Sequence, residues 1–190
     1  ITGKTMTKMP VLETERLWIR PFTLDDLDAV ARVKNEGFGD EPLDVHQRWL
    51  EWTIRNEVEL AALYQPPYGD RAIVLKAEDR VIGSVGLVPC LMPFGQLPSW
   101  GGEPALNTNE MGLFWAVETA SRGRGYASEA AQALITYMFT EMRLKRIVAT
   151  TEYDNLSSQQ VMKRLGMRIE RNPLPDPFWF QVVGVLENTV

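Results

Sequence analysis

Thiol and imidazole are almost missing from this chain: its 190 residues include one cysteine, Cys90, and one histidine, His46. A single thiol rules out an intrachain disulfide, and a zinc site would have to be built almost without sulfur, so no metal is expected. Positive charge is also short, with 20 Lys and Arg against 25 Asp and Glu and a net charge of -5. That balance removes the non-specific attraction on which most nucleic-acid binding rests, and it favours an amine over a phosphate polymer as partner. Long apolar runs are missing as well. None approaches the roughly 18 residues that cross a bilayer, and "ITGKTMTKMP" lacks the apolar centre of a secretory signal. A cytoplasmic protein with no membrane or nucleic-acid partner is the expectation. The opening does not begin with Met, so residues 1–10 read as an N-terminal extension or a remnant of processing or expression. Residues 11–190, in a chain that is 45% hydrophobic, read as one domain.

Periodicity supplies the order of elements. "RLWIRPF" alternates as a half-buried strand does, and Thr23 and Asp26 cap a helix through "TLDDLDAVARV". A second helix is predicted from Asp44 to Tyr64, with Val45, Trp49, Trp52 and Thr53 on its inner face. "RAIVLKA" and "RVIGSVGLV" form a hairpin around "EDR". Pro89 to Asn109 holds four prolines and three glycines and has no period, and it reads as a long loop, of a kind that is functional, as a lid or an oligomer contact would be, or disordered. "EMGLFWAV" is an apolar strand, followed by a helix over "ASEAAQALITYMFTEM". "RIVATTEYD" is a strand, "NLSSQQVMKRLG" a helix capped by Asn155, and "MRIER" and "FWFQVVGVLE" are closing strands. About seven strands and four helices therefore interleave as an α/β (α+β) fold.

The most telling stretch is "ETASRGRGYASEA". A strand that turns through two glycines into a helix leaves backbone N–H groups pointing outward at a helix N-terminus, where the dipole favours an anion. Gly123 and Gly125 let a bulky ligand approach that backbone, and Arg122 and Arg124 add charge-assisted bonds to phosphate oxygens. A connecting turn with solvated arginines is the plain alternative. Two other phosphate loops fail: the Gly-x4-Gly-Lys-Ser/Thr string does not occur, and Ser128 stands where a dinucleotide fingerprint needs its third glycine.

Arg122-Gly123-Arg124-Gly125-Tyr126-Ala127 matches the Arg/Gln-x-x-Gly-x-Gly/Ala signature of the GNAT superfamily of N-acetyltransferases. "LETERLWIRPFTLDDLDAV" and "NLSSQQVMKRLGM" resemble the opening and the last helix motif of its ribosomal-protein alanine N-acetyltransferase (RimJ/RimL-like) branch. The resemblance spans Val11 to Glu187 and implies a mixed, mostly antiparallel sheet with helices on both faces, splayed at the cofactor site. It also implies acetyl-coenzyme A as cosubstrate and direct attack of a primary amine, a peptide N-terminus or a small amine, on the thioester. By the same resemblance the backbone of Phe114, Trp115, Ala116 and Val117 would hold the pantetheine arm. Residues Arg122 to Ala127 would hold the pyrophosphate, and Asn155 and Ser158 would lie at the thiol.

An attacking amine must be neutral and the departing thiolate needs a proton. At pH 7 deprotonation costs about 4.6 kcal/mol for a lysine-like amine and about 1.1 for an α-amine. The resemblance makes Glu110 the base, although a strand-end carboxylate in solvent is the plain reading. Superfamily members often carry a Tyr acid where this chain has Met162, which leaves Ser158 to serve the sulfur unless its hydroxyl bonds its own backbone. Tyr153 is a backup donor. His46 reads as a surface imidazole, and Cys90 as a buried small residue. A non-catalytic acyl-coenzyme A-binding sensor is the rival function, and a homodimer is left open.

Overall fold

The computed structural model describes residues 8–66 and 68–189. Residues 1–7, most of the proposed extension, lie outside the described residues. Met9, by contrast, is buried, and the Pro10 carbonyl accepts a hydrogen bond from Arg71 at 2.7 Å. The chain divides into two compact units, 1–86 with 115–142 and 87–114 with 143–190.

In the first unit, β1 (Leu12–Glu13) and β2 (Leu17–Arg20) precede α1 (Leu27–Phe38) and α2 (Leu43–Ala62), then β3 (Gly69–Leu75) and the start of β4 (Arg80–Met92). Period-two alternation holds in β2, where Leu17 and Ile19 are buried and Trp18 faces out. The Asp26 carboxylate accepts from the Thr23 amide at 2.8 Å and from both terminal nitrogens of Arg20, which fixes the entry to α1. The core of this unit gathers Phe22, Val30, Leu50, Ala72, Val74 and Val81, each large aliphatic or aromatic member worth roughly 1.5–3 kcal/mol on burial. The end of β5 (Thr108–Val117) and helix α3 (Tyr126–Thr140) complete the unit.

The second unit holds the end of β4, most of β5, and then β6 (Arg146–Thr151), α4 (Leu156–Arg164), β7 (Arg168–Arg171) and β8 (Val182–Glu187). Antiparallel pairs join β6 to β8 and β7 to β8, and β5 runs parallel to β6 in register Gly112↔Val148. Gly184 lets two methionines pack close to the strand, since a Cβ there would lie 2.8 Å from Met167 Sδ and 3.1 Å from Met162 Sδ, and Met162 is 1% exposed. Met162 is therefore core, whatever residue type relatives place there. Strand order along the single eight-stranded sheet is β1-β2-β3-β4-β5-β6-β8-β7, which bears out a mixed, mostly antiparallel α/β architecture.

Four expectations change. An eighth strand exists because the two-residue β1 pairs with β2, a length too short to leave a periodic signal. "FWFQ" is not strand: Phe178–Phe180 form a 3-10 turn and β8 begins at Val182. The long loop begins only after Met92 and is anchored. Phe94 and Leu97 are buried with Cys90, Val148, Phe180, Val183 and Val185, and Trp100 stacks on Phe94 at 4.7 Å, so the stretch is partly core and not a free lid. Finally, α2 buries His46, Leu50, Thr53 and Leu60, while Trp52 is 58% exposed. His46 is 1% exposed and not a surface imidazole; its Nε2 lies 2.7 Å from Asn35 Oδ1.

Candidate active site

Strand β5 ends at Val117, and the next residue, Glu118, sets the shape of the turn into α3. Its side chain is 2% exposed and accepts from Arg32 Nε at 2.8 Å, Arg80 Nη1 at 2.6 Å and Ser121 Oγ at 2.6 Å. Burial by itself would raise this carboxyl, but the bonds from Ser121, Arg80 and Arg32 outweigh it and hold Glu118 below the ordinary carboxylate range. With Glu118 fixed, Thr119–Ser121 close a 3-10 turn, the Thr119 amide donates to Glu36, and Arg122 Nε donates to the Val117 carbonyl at 2.9 Å.

Gly123 and Gly125 then adopt φ of +75° and +83°, left-handed values that cost an L side chain roughly 1–2 kcal/mol. A Cβ at Gly123 would meet nothing within 4 Å, so that side of the turn is open. Gly125 is the N-cap of α3 and supplies no side-chain acceptor. Among the described residues, the backbone N–H groups of Gly123, Arg124, Gly125, Tyr126, Ala127 and Ser128 have no protein acceptor. Ser128 Oγ is buried and also unpartnered. The one acid of the first helical turn, Glu129, is engaged elsewhere, accepting from Thr14 Oγ1 at 2.6 Å and from Arg16 N and Nε. Arg16 also donates to the Arg124 carbonyl at 3.0 Å and stacks 4.5 Å over Tyr126. A run of free donors at the positive end of a 15-residue helix, with both nearby glutamates occupied by arginines, is built for an anion.

Signals for the supporting residues are in the sequence but silent. Arg16, Arg32, Arg80 and Glu118 read individually as ordinary surface charges, and only the fold pairs residues 38 to 113 positions apart.

The second unit holds the residues expected to move protons. Glu110, half-buried near the start of β5, is bound by Arg146, whose Nε lies 3.1 Å from Oε2 and whose Nη2 contacts Oε1. The guanidinium lies 4.0 Å from the Trp100 ring and reaches Glu187 at 3.4 Å. Hydrogen bonding to Glu110 comes first among the influences that hold Arg146 charged above its usual range. Glu110 is thus no solvated strand end. Asn155 caps α4, its Oδ1 accepting from Ser158 N at 3.1 Å and Ser157 Oγ at 2.9 Å. Ser158 Oγ has no protein partner among the described residues, so the hydroxyl is not spent on its own backbone. Tyr153 donates its hydroxyl to the Asn172 carbonyl under the Arg171 guanidinium, which commits it to structure. Cys90 is buried, and burial followed by Glu110 pushes its thiol up to about 11, far from a nucleophile's range. Among the described residues no three His, Cys, Asp or Glu gather as metal ligands.

Comparison with known proteins gives the family. Residues 16–168 match the acetyltransferase (GNAT) domain family. The chain is 32% identical over 163 residues to the uncharacterized N-acetyltransferase YnaD of Bacillus subtilis, covering 84% of this chain and 83% of that one. A GNAT-family acetyltransferase structure from Bordetella pertussis superposes with a TM-score of 0.65 at 25% identity, over 95% of this chain and all of that one. The ribosomal-protein-S5-alanine acetyltransferase of Vibrio fischeri shares the fold at TM-score 0.67 and 18% identity, over 95% and 98% of the two chains. The chain belongs to the acetyltransferase (GNAT) domain family, and its reaction is transfer of an acetyl group from acetyl-coenzyme A to an amine.

Proposed function

We propose that this cytoplasmic N-acetyltransferase holds the coenzyme A pyrophosphate on the backbone of Gly123 to Ser128 and acetylates a primary amine, a peptide N-terminus or a small amine. The observation that carries the reading is the run of N–H groups without protein acceptors at the uncapped start of α3. Coenzyme A supplies an activated thioester. The protein supplies position and charge: Arg122 and Arg124 face the phosphates, the backbone of Phe114, Trp115, Ala116 and Val117 serves the pantetheine arm as an added strand would be served, and Asn155 shapes the start of α4 so that Ser158 presents a free hydroxyl to the sulfur.

Glu110 is the proposed proton acceptor for the amine. Arg146 uses one lone-pair direction on each of its oxygens, and a carboxylate has about four, so acceptor capacity remains while the side chain is held still. An α-amine, costing about 1.1 kcal/mol to deprotonate at pH 7, suits so restrained a base better than a lysine-like amine at about 4.6. Thiol release from acetyl-coenzyme A against a panel of amines and peptides is the test. Release that depends on the amine supports transfer; binding of acetyl-coenzyme A with no amine-dependent release by any acceptor would make the chain a cofactor-binding sensor.

A further inference from the structure

Aromatic rings of the second unit lead from its core to the proposed base. Phe180, fully buried, meets Phe94 edge-on at 5.2 Å, and Phe94 stacks on Trp100 at 4.7 Å. The Arg146 guanidinium lies 4.0 Å over the Trp100 ring, and its Nε and Nη2 fork onto the two oxygens of Glu110. The contacts run without a break from the hydrophobic core to a carboxylate near the start of β5.

Trp100 is held firmly in this series. Its amide closes a turn on the carbonyl of buried Leu97 at 3.1 Å. Gln96 accepts at 2.7 Å from Asn172, a side chain with no exposure, and Ser99 donates to Glu170 and accepts from Arg168 at 3.0 Å. The indole Nε1, by contrast, is buried and has no acceptor among the described residues. A buried donor without a partner is unfavourable, so the ring is kept here by its faces and not by its polar edge.

A guanidinium is planar, with its donors on the edge and its faces free to stack. A ring against one face therefore leaves the donors available while fixing the plane in which they point. That plane matters because Arg146 has two carboxylates in reach. Glu187 lies 3.4 Å from Nη1 and is 47% exposed, while Glu110 is 16% exposed. A long side chain free to rotate would sample both, and would release Glu110 each time it turned to Glu187 or to water.

We infer that Trp100 is a positioning residue for acetyl transfer: its ring fixes the plane of Arg146, and Arg146 holds Glu110 where it receives the proton of the amine. The stretch that the sequence marks as a long loop acts through this one anchored ring. The inference rests on the reading of Glu110 as the base.

Two measurements on the intact protein test it. Nitrogen-15 NMR of the Arg146 side chain needs no acceptor and reads rotation about its Nε–Cζ bond. Rotation should be slow in the wild type and at least about tenfold faster in Trp100→Leu, as loss of a cation–π contact allows. Trp100→Phe keeps a ring face and loses only an N–H without a protein acceptor, so it should stay near the wild type. If Trp100→Leu melts well below the wild type, Trp100→Met, which fills more of the space, takes its place. The second measurement is turnover of an alanine-led tripeptide and of phenethylamine. Trp100→Leu should lower kcat about tenfold and leave both Michaelis constants within about twofold, since a displaced catalytic group slows chemistry without weakening binding. Trp100→Phe should recover the rate. In a Glu110→Gln background Trp100→Leu should change kcat by less than about twofold, because a residue that works only through Glu110 has nothing left to position. Arg146 rotation that is fast in the wild type or unchanged by Trp100→Leu, an unchanged kcat, or a loss that persists in the Glu110→Gln background would overturn the proposal. A Glu110→Gln protein as fast as the wild type, or no thiol release with either acceptor, would instead count against the reading of the base or of the reaction, and the NMR result would still decide the hold of Trp100 on Arg146.

Discussion

Strand β5 carries a glutamate near one end and is followed by a glutamate at the other, and the two have opposite fates. Glu118 is 2% exposed and closed on two arginines and a serine. Glu110 is 16% exposed and held by one arginine from one side. The first has almost no capacity left and works by shaping backbone, turning Thr119 to Gly125 so that donors face outward. The second keeps lone pairs and works, in the proposed reading, by its own chemistry. Both are strand-end carboxylates to a reader of the sequence; the difference lies wholly in how many partners the fold delivers to each.

Removing each glutamate sharpens the contrast, and the largest effect should come from Glu118→Ala. It removes the acceptor shared by Arg32, Arg80 and Ser121; the two arginines left behind are 39% and 40% exposed and can take water, so the cost is about 2 kcal/mol, the range of a hydrogen bond to a charged group. For a chain of this length that lowers the melting temperature by roughly 4–8 °C. Calorimetric melting of Glu118→Ala beside Glu110→Ala reads the comparison directly, since Glu110 gives up one partner, Arg146, where Glu118 gives up three, and should cost less. Equal losses would erase the distinction.

Turnover should show the reverse ranking. Glu110→Gln should lower kcat about 10²-fold for an α-amine, the low end for general acid–base catalysis, and more for a lysine-like acceptor. A pH–rate profile that keeps the wild-type acidic limb and rate in this variant would move the base elsewhere. Ser158→Ala should cost no more than about 10²-fold, because a thiol of pKa near 8.5 leaves tolerably unaided.

Acid should find the anchor before the base. Glu118 and Glu129 both sit below their ordinary value of 4.5 when folded. A depressed carboxyl contributes stability above its unfolded pKa and surrenders it as pH falls through the folded one. Stability should therefore decline below about pH 4.5, and Glu118→Gln should flatten that decline. A variant as acid-sensitive as the wild type would assign the loss to other carboxylates. This is the smallest expected effect, because each site adds only a fraction of the total.

The turn is legible in the sequence and its partners are not, for physical reasons. Gly123 and Gly125 announce left-handed backbone, and an apolar stripe from Ala130 to Met138 announces α3, because those constraints are local. The buried stripe of α2 is only partly legible: Thr53 is read on it, but His46 is polar and reads as surface although it is buried with Leu50, Thr53 and Leu60. The fold makes a buried imidazole acceptable through Asn35, 11 residues away, and sequence spacing gives no sign of it. Arg146 meets Glu110 across 36 residues for the same reason. Lys34 reads as one more surface charge, and only the packing of α1 on α2 brings Trp49 beneath it.

The central claim is that backbone donors between Gly123 and Ser128 hold a pyrophosphate, and its most direct measurement is calorimetric binding of coenzyme A beside pantetheine, which lacks the pyrophosphate. Wild type should prefer coenzyme A by at least about a hundredfold, a difference near 2.7 kcal/mol. Gly125→Val, which cannot hold φ of +83° without strain, should lose most of that preference while pantetheine binding stays as it was. A folded Gly125→Val protein that still favours coenzyme A to the same degree would contradict the account.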